Sequence, residues 1–366
     1  MRIEDVTTRI VSRSYEGRFS NPHMAWTEKH ALIVIVTLED GTVGIGEAWC
    51  DGGDPQRVAD FIGSDLAPKV IGEPVQRPAR LWTLMMSDMV MSQRGGALYA
   101  AVGGVDTAVW DALARTVGLP LSQLLGGESD SVHTYASGGF YAEGYRPDDL
   151  AEDMAAGLQA GAVGVKVKAG LSRDLDEEEA RIAAVRKAIG PEAWLMADFL
   201  FAPDRAHAVR VARRIAPYDI RFLEAPTSLS DMEGWRLVGE RSGLPLAGPE
   251  MSSGLDRFRD ALLVANVDYL QLDVTLCGGI TEAVRIAGLA KAHNRLLSLH
   301  CSGSAVSLAA NAQFACAFGA DSVEYHLLHQ TLFCHLWSEG WSLEGGRLRP
   351  PDTPGLGLEL PRDLNA

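Results

Sequence analysis

Gly164-Val-Lys-Val-Lys168, read with Trp194-Leu-Met-Ala-Asp198 and Arg221-Phe-Leu-Glu224, decides the fold. Each is a short apolar run that ends on charge. The same texture continues along the chain. Strands are expected at Val132–Ser137, Gly164–Lys168, Ala193–Ala197, Ile220–Leu223, Leu244–Ala247, Val267–Gln271, Leu296–Leu299 and Ser322–Tyr325. Helical runs of about 10–15 residues separate them, and that alternation demands parallel pairing through right-handed crossovers. Eight such units predict an α/β fold built on a (β/α)8 TIM-type barrel. Lys166 and Lys168 alternate with Val165 and Val167, so the lysines share one strand face and the valines the other. In a barrel the lysines then point inward.

Active sites of such barrels lie at the C-terminal strand ends. The polar residues there are Lys166, Lys168, Asp198, Glu224, Glu250, Asp273, His300 and Glu324. From Lys168 onward their spacings are 30, 26, 26, 23, 27 and 24 residues. One strand–helix unit takes roughly 25–30 residues, so each charge falls on a new strand at a similar height. A single carboxylate at such a place could be a helix cap, but surface charge would not keep this phase.

Asp198, Glu224 and Glu250 converging without a cation would repel and raise one another's pKa. Oxygen ligands of this kind suit a hard divalent cation, and Mg2+ is the expected cofactor. Lys168, beside a cation and a second lysine, is a candidate base. Asp273 can hold one nitrogen of His300, fix its tautomer and raise the basicity of the other. A protonated Glu324 could hydrogen-bond a substrate carboxylate. Cys301 beside His300 reads as a packed thiol, and the Ala-rich stretch 305–320 as a barrel helix.

The first third reads differently. Strands are expected at Arg2–Val11, Ala31–Leu38 and Val43–Ala48, with Glu39-Asp-Gly41 as a hairpin turn. Helices are expected at Gln56–Ala67, Pro78–Met86 and Ala97–Val117. Three regions result: an N-terminal α+β capping domain (1–128), the barrel (129–335), and a C-terminal segment (336–366) packing back on the cap. The loop 13–29, with His23, Met24 and Trp26, and the loop 49–54 are expected to close over the site and read the substrate.

The chain has 366 residues, 47% of them apolar and 22% charged, which is ordinary for a globular protein. Lys plus Arg number 33 and Asp plus Glu 48, for a formal charge of −15. That balance argues against nucleic acid or an anionic membrane as partner. Five cysteines form no CxxC pair, and an odd count cannot close a full disulfide framework. Charges from the second residue leave no apolar core for a signal peptide. A cytoplasmic location is the expectation.

The residues at the strand ends, with Asp40-Gly-Thr-Val-Gly-Ile-Gly-Glu47, Val105-Asp-Thr-Ala-Val-Trp-Asp111, Leu121-Ser-Gln-Leu-Leu-Gly-Gly127 and Cys277-Gly-Gly-Ile-Thr-Glu282, resemble the enolase superfamily, in particular its mandelate racemase subgroup. The resemblance covers nearly the whole chain. It implies a modified barrel under an N-terminal cap, Mg2+ held by Asp198, Glu224 and Glu250, and removal of the proton α to a carboxylate to give an enediolate. It implies Lys168 as base, Lys166 as its assistant at the substrate carboxylate, and His300 with Asp273 on the opposite face. Leu200 stands where many relatives have Asn, which removes a polar contact to substrate, and Glu250 follows Gly-Pro where Gly-Gly is usual. The expected substrate is a small carboxylate, an acid sugar or hydroxy acid. Dehydration to a 2-keto-3-deoxy acid is the leading reaction, with racemisation or epimerisation of a 2-hydroxy acid, or cycloisomerisation of a sugar-acid lactone, as alternatives. Relatives of this kind also imply a homo-oligomer, a dimer or an octamer.

Overall fold

Parallel pairing closes on itself in the second part of the chain. Strands β4 (Val132–Gly138), β5 (Gly164–Lys168), β6 (Trp194–Asp198), β7 (Ile220–Glu224), β8 (Leu246–Gly248), β9 (Tyr269–Leu272), β10 (Leu296–Leu299) and β11 (Ser322–His326) lie side by side in chain order, and β11 returns to pair with β4. All of these pairings are parallel. The computed structural model of the protein describes residues 1–14, 23, 28–50, 53–87, 96–326 and 341–359.

The alternation read in Gly164–Lys168 sorts as expected. Val165 and Val167 join the large core between strands and helices, while Lys166 is fully buried on the other face. Beneath the lysines, Tyr135, Met196, Phe222, Ala247 and Tyr269 form a separate cluster that fills the barrel interior. Burying each large side chain there contributes about 1.5–3 kcal/mol. This plug makes a floor, so the polar residues one layer higher can meet.

Local signals set the helices. The helix Leu175–Ile189 is capped by Asp174, opens on Asp176, Glu177 and Glu178, and closes on Arg186 and Lys187, in line with its dipole. The Ala-rich helix expected after strand seven runs Ala305–Phe318 and is buried from Ala305 to Ala317. It has no polar face because the barrel covers one side and the N-terminal unit the other.

That N-terminal unit is an antiparallel sheet of β1 (Ile3–Ser14), β2 (Glu28–Leu38) and β3 (Val43–Ala48) packed on the helix α1 (Ala97–Val117). Gly46 allows the approach: a Cβ there would stand 2.2 Å from the Gly104 carbonyl oxygen. The helix expected at Gln56–Ala67 is observed as three joined helical segments, Pro55–Phe61, Ile62–Leu66 and Ala67–Val70, with a π-helical middle.

The two units are bolted together by polar contacts. Asp106 of α1 accepts from the Thr281 amide (2.8 Å) and hydroxyl (2.7 Å), and the Trp82 indole donates to the Gly278 carbonyl (2.8 Å). In the C-terminal segment, β12 (Ser342–Glu344) and β13 (Arg347–Arg349) form a hairpin whose second strand pairs with β4. The Leu356 amide then donates to Asp111 of α1. Among the described residues no helix is long and apolar enough to cross a membrane.

Candidate active site

The strand-end residues do come together. Lys166 Nζ stands 2.6 and 2.7 Å from the two Glu224 carboxylate oxygens and 3.1 Å from Glu324. Lys168 Nζ donates to Asp198, which also accepts from the Leu200 amide at 2.8 Å. Gln271 on β9 adds a donor to Glu224 at 2.8 Å. Glu250, on the loop after β8, is buried, and its Oε2 has no hydrogen-bond partner. Across the barrel mouth, His300 Nδ1 lies 2.9 Å from Asp273 Oδ2, and His300 Nε2 lies 3.8 Å from Glu324. Asp273 also caps the short turn after β9 by accepting from the Thr275 amide at 2.9 Å, so a cap and a histidine partner are one residue.

Burial and neighbouring charge tune these groups. Burial pushes the Glu250 carboxyl well up, and Glu224 and Asp198 push it further. Glu224 is also raised, by burial first, against the pull of Lys166. Burial would raise Asp198 too, but Lys168 and Lys166 outweigh it and hold it low. Burial would strip the Lys166 ammonium of its proton, yet Glu224 and Glu324 hold it firmly charged. Burial likewise opposes charge on His300, and Glu324 with the Asp273 hydrogen bond overcomes it, lifting the imidazolium to about 9. The protonated Glu324 expected from sequence is corrected: Lys166 and then His300 hold it far below the usual carboxylate range, so it is an anion between two cations.

The substrate-facing expectations divide. His23 reaches the barrel, with Nε2 2.6 Å from the Leu200 carbonyl. Leu200 has a left-handed backbone (φ 51°), and its amide and carbonyl are hydrogen-bonded to Asp198 and His23. Trp26 and Met24 lie outside the described residues, as does Cys334. Trp49 touches the barrel, its indole donating to the Ser302 hydroxyl at 3.3 Å, while residues 51 and 52 of that loop lie outside the described residues. Cys50, Cys277, Cys301 and Cys316 are buried, and none of the four is in a disulfide.

Sequence reading missed Gln271, Glu47 and Asn311. Glu47 is a carboxylate closing an apolar strand, and Asn311 is an amide in an apolar helix. Both were visible as polar residues in places where a polar side chain needs a partner.

The matches with known proteins follow this geometry. Residues 149–364 match the enolase C-terminal domain-like family, and residues 6–126 match the mandelate racemase/muconate lactonizing enzyme N-terminal domain. The chain belongs to the mandelate racemase/muconate lactonizing enzyme family of the enolase superfamily. It is an enzyme of the lyase or isomerase type. It is 30% identical over 374 residues to D-galactarolactone cycloisomerase of Agrobacterium fabrum, covering 99% of this chain and 97% of that protein. It is 30% identical over 336 residues to arabinonate dehydratase of Saccharolobus solfataricus, covering 91% and 89%. The crystal structure of a racemase from Streptomyces coelicolor A3(2) with bound magnesium superimposes with a TM-score of 0.87 at 27% identity, over 98% of this chain and 97% of that one.

The residues also bear on a cation. As they stand, no three His, Cys, Asp or Glu side chains among the described residues are grouped in metal-holding geometry. The chemistry of the donors nevertheless fits a divalent cation. Three buried carboxylates adjoin, one oxygen of Glu250 is orphaned, and Lys166 and Lys168 already supply positive charge there.

Proposed function

We propose that this enzyme removes the proton α to the carboxylate of an acid sugar and expels the β-oxygen, giving a 2-keto-3-deoxy acid. The observation that carries this reading is the placement of Lys168 on β5 and the His300–Asp273 pair beyond β10, with the buried carboxylates on the strands between them. Asp198, Glu224 and Glu250 would hold Mg2+, once the Lys166 and Lys168 ammonium groups turn from them toward the substrate. Bound there, the cation offsets the negative charge that develops on the substrate carboxylate.

The chain's own groups do the rest. Lys166 pairs with the substrate carboxylate. Lys168 Nζ, once it has given one ammonium proton to solvent, takes the proton as the C2–H bond breaks. His300, lifted to about 9, carries a proton near neutrality and gives it from Nε2 to the C3 oxygen as the C3–O bond breaks. Glu324 keeps that imidazole charged, and Asp273 aims it. The enol released then takes a proton at C3 and becomes the ketone.

If the departing oxygen is a hydroxyl, water leaves and the enzyme is a hydro-lyase. If it belongs to a ring, the same bond cleavage opens the ring, nothing leaves, and the enzyme is a cycloisomerase. Both outcomes have a relative of equal likeness, the Agrobacterium cycloisomerase and the Saccharolobus dehydratase, each 30% identical to this chain. Incubating acid sugars and their lactones with enzyme and Mg2+, then assaying 2-keto acids, tests the proposal. Heavy water separates it from racemisation: α-deuterium with inverted configuration and no keto product would overturn it.

A further inference from the structure

Asp273 uses its two oxygens for different things. Oδ2 faces His300 Nδ1, whereas Oδ1 accepts from the Thr275 amide (2.9 Å), the Thr275 hydroxyl (2.8 Å) and the Asn311 side-chain amide (3.0 Å). Three donors on one oxygen fix the carboxylate plane and leave the other oxygen aimed at the imidazole. The Asn311 amide is itself unable to turn over. Its Oδ1 accepts from the Val274 amide at 3.0 Å, and its Nδ2 also donates to the Ser307 carbonyl at 3.1 Å. Asn311 is fully buried within the Ala305–Phe318 helix, where an unsatisfied amide would cost about 1–3 kcal/mol.

The first turn of that helix is held by the other unit. Glu47 of β3 accepts from the Ser304 amide (3.0 Å), the Ser304 hydroxyl and the Ser307 amide (3.0 Å). The fit is close: a Cβ at Gly303 would stand 2.6 Å from Glu47 Oε1 and 2.5 Å from Ser307 Cβ. Ser307 is the shared link, with its amide on Glu47 and its carbonyl on Asn311. Its hydroxyl also lies 3.5 Å from the Cys301 sulfur, next to His300. An unbroken series of buried contacts thus runs from the N-terminal sheet to the imidazole.

We infer that Asn311 is a positioning residue for the Asp273–His300 pair, and that Glu47 sets where Asn311 stands by holding the first turn of its helix. Seating of the N-terminal unit and aiming of the imidazole are then one event. This rests on the reading of His300 as an acid–base group.

The test uses the full-length enzyme with isotope-labelled histidine. The downfield proton of the His300 Nδ1–H bond is assigned by its loss in His300→Asn. In Asn311→Leu, which removes the donor at similar volume, this signal broadens or shifts upfield. With an acid that the wild type converts, kcat falls about 10–100-fold, as for other partners that orient an imidazole, while KM holds. Glu47→Gln, more distant and still an acceptor, moves signal and kcat the same way by less, and it carries the test if Asn311→Leu does not fold. The inference is overturned if signal and kcat in the folded variants match wild type while His300→Asn is inactive. If His300→Asn retains full activity, the reading of His300 itself falls instead.

Discussion

At the scale of single residues, charge position was legible and charge state was not. Lys166, Lys168, Asp198, Glu224, Asp273, His300 and Glu324 announce themselves by phase, because each ends an apolar run. Their protonation depends on contacts across strands, which no local pattern encodes: Glu324 is an anion because Lys166 reaches it from β5. Lys168→Ala is expected to lower kcat by about a hundred- to ten-thousandfold, the rate that a general acid–base group supplies. Steady-state kinetics with thermal melts as a folding control check this. Glu250→Gln should weaken Mg2+ binding, read by calorimetry, because it replaces a charged ligand oxygen by an amide. Unchanged affinity would remove Glu250 from the ligand set. Glu47 gives a pH prediction. Burial pushes it from 4.5 up to about 7, so the folded chain keeps a proton that the unfolded chain has released. Stability should fall as pH rises through that window, by about 3 kcal/mol from this group. Glu47→Gln should lack that slope in denaturant titrations at a series of pH values.

At the scale of elements, the sequence pattern told strands from helices because apolar alternation and helix caps are local signals. Gly164–Lys168 and Leu296–Leu299 stand as expected to the residue. Boundaries moved where a strand ended on its polar residue, as at Asp198 and Glu224, which pair within their strands. The buried helix Ala305–Phe318 shows what pattern cannot reach. Its composition identifies a helix, but only the assembled fold shows that two units cover it and that its one asparagine is spent on Asp273. The β3–α1 contact supplies a prediction. Gly46→Ala must push the sheet off Gly104 and Ala108, and overpacking of this kind costs about 1–3 kcal/mol. A melting temperature equal to wild type would show that the contact yields.

At the scale of the whole molecule, a formal charge of −15 posed the question of how an anionic substrate is held. Part of that charge is internal. Asp198, Glu224, Glu250, Asp273 and Glu324 are buried, against Lys166, Lys168 and His300, so five of the acidic groups face cationic partners at the barrel mouth rather than solvent. A divalent cation on this cluster should stabilise the fold: at about 100 times Kd it adds about 2.7 kcal/mol. Melting temperature should rise with Mg2+ and return on chelation, and a melt indifferent to Mg2+ would contradict the proposed ligand set.

The central claim is that Lys168 and His300 act on the α- and β-positions of one acid sugar. The most direct measurement follows the α-hydrogen and the keto product together, in heavy water with Mg2+, across acid sugars and their lactones. The account predicts a 2-keto-3-deoxy acid labelled at C3 from wild type, and none from Lys168→Ala or His300→Asn. Keto product formed equally well by both variants, or α-exchange with inversion and no keto product, would contradict it.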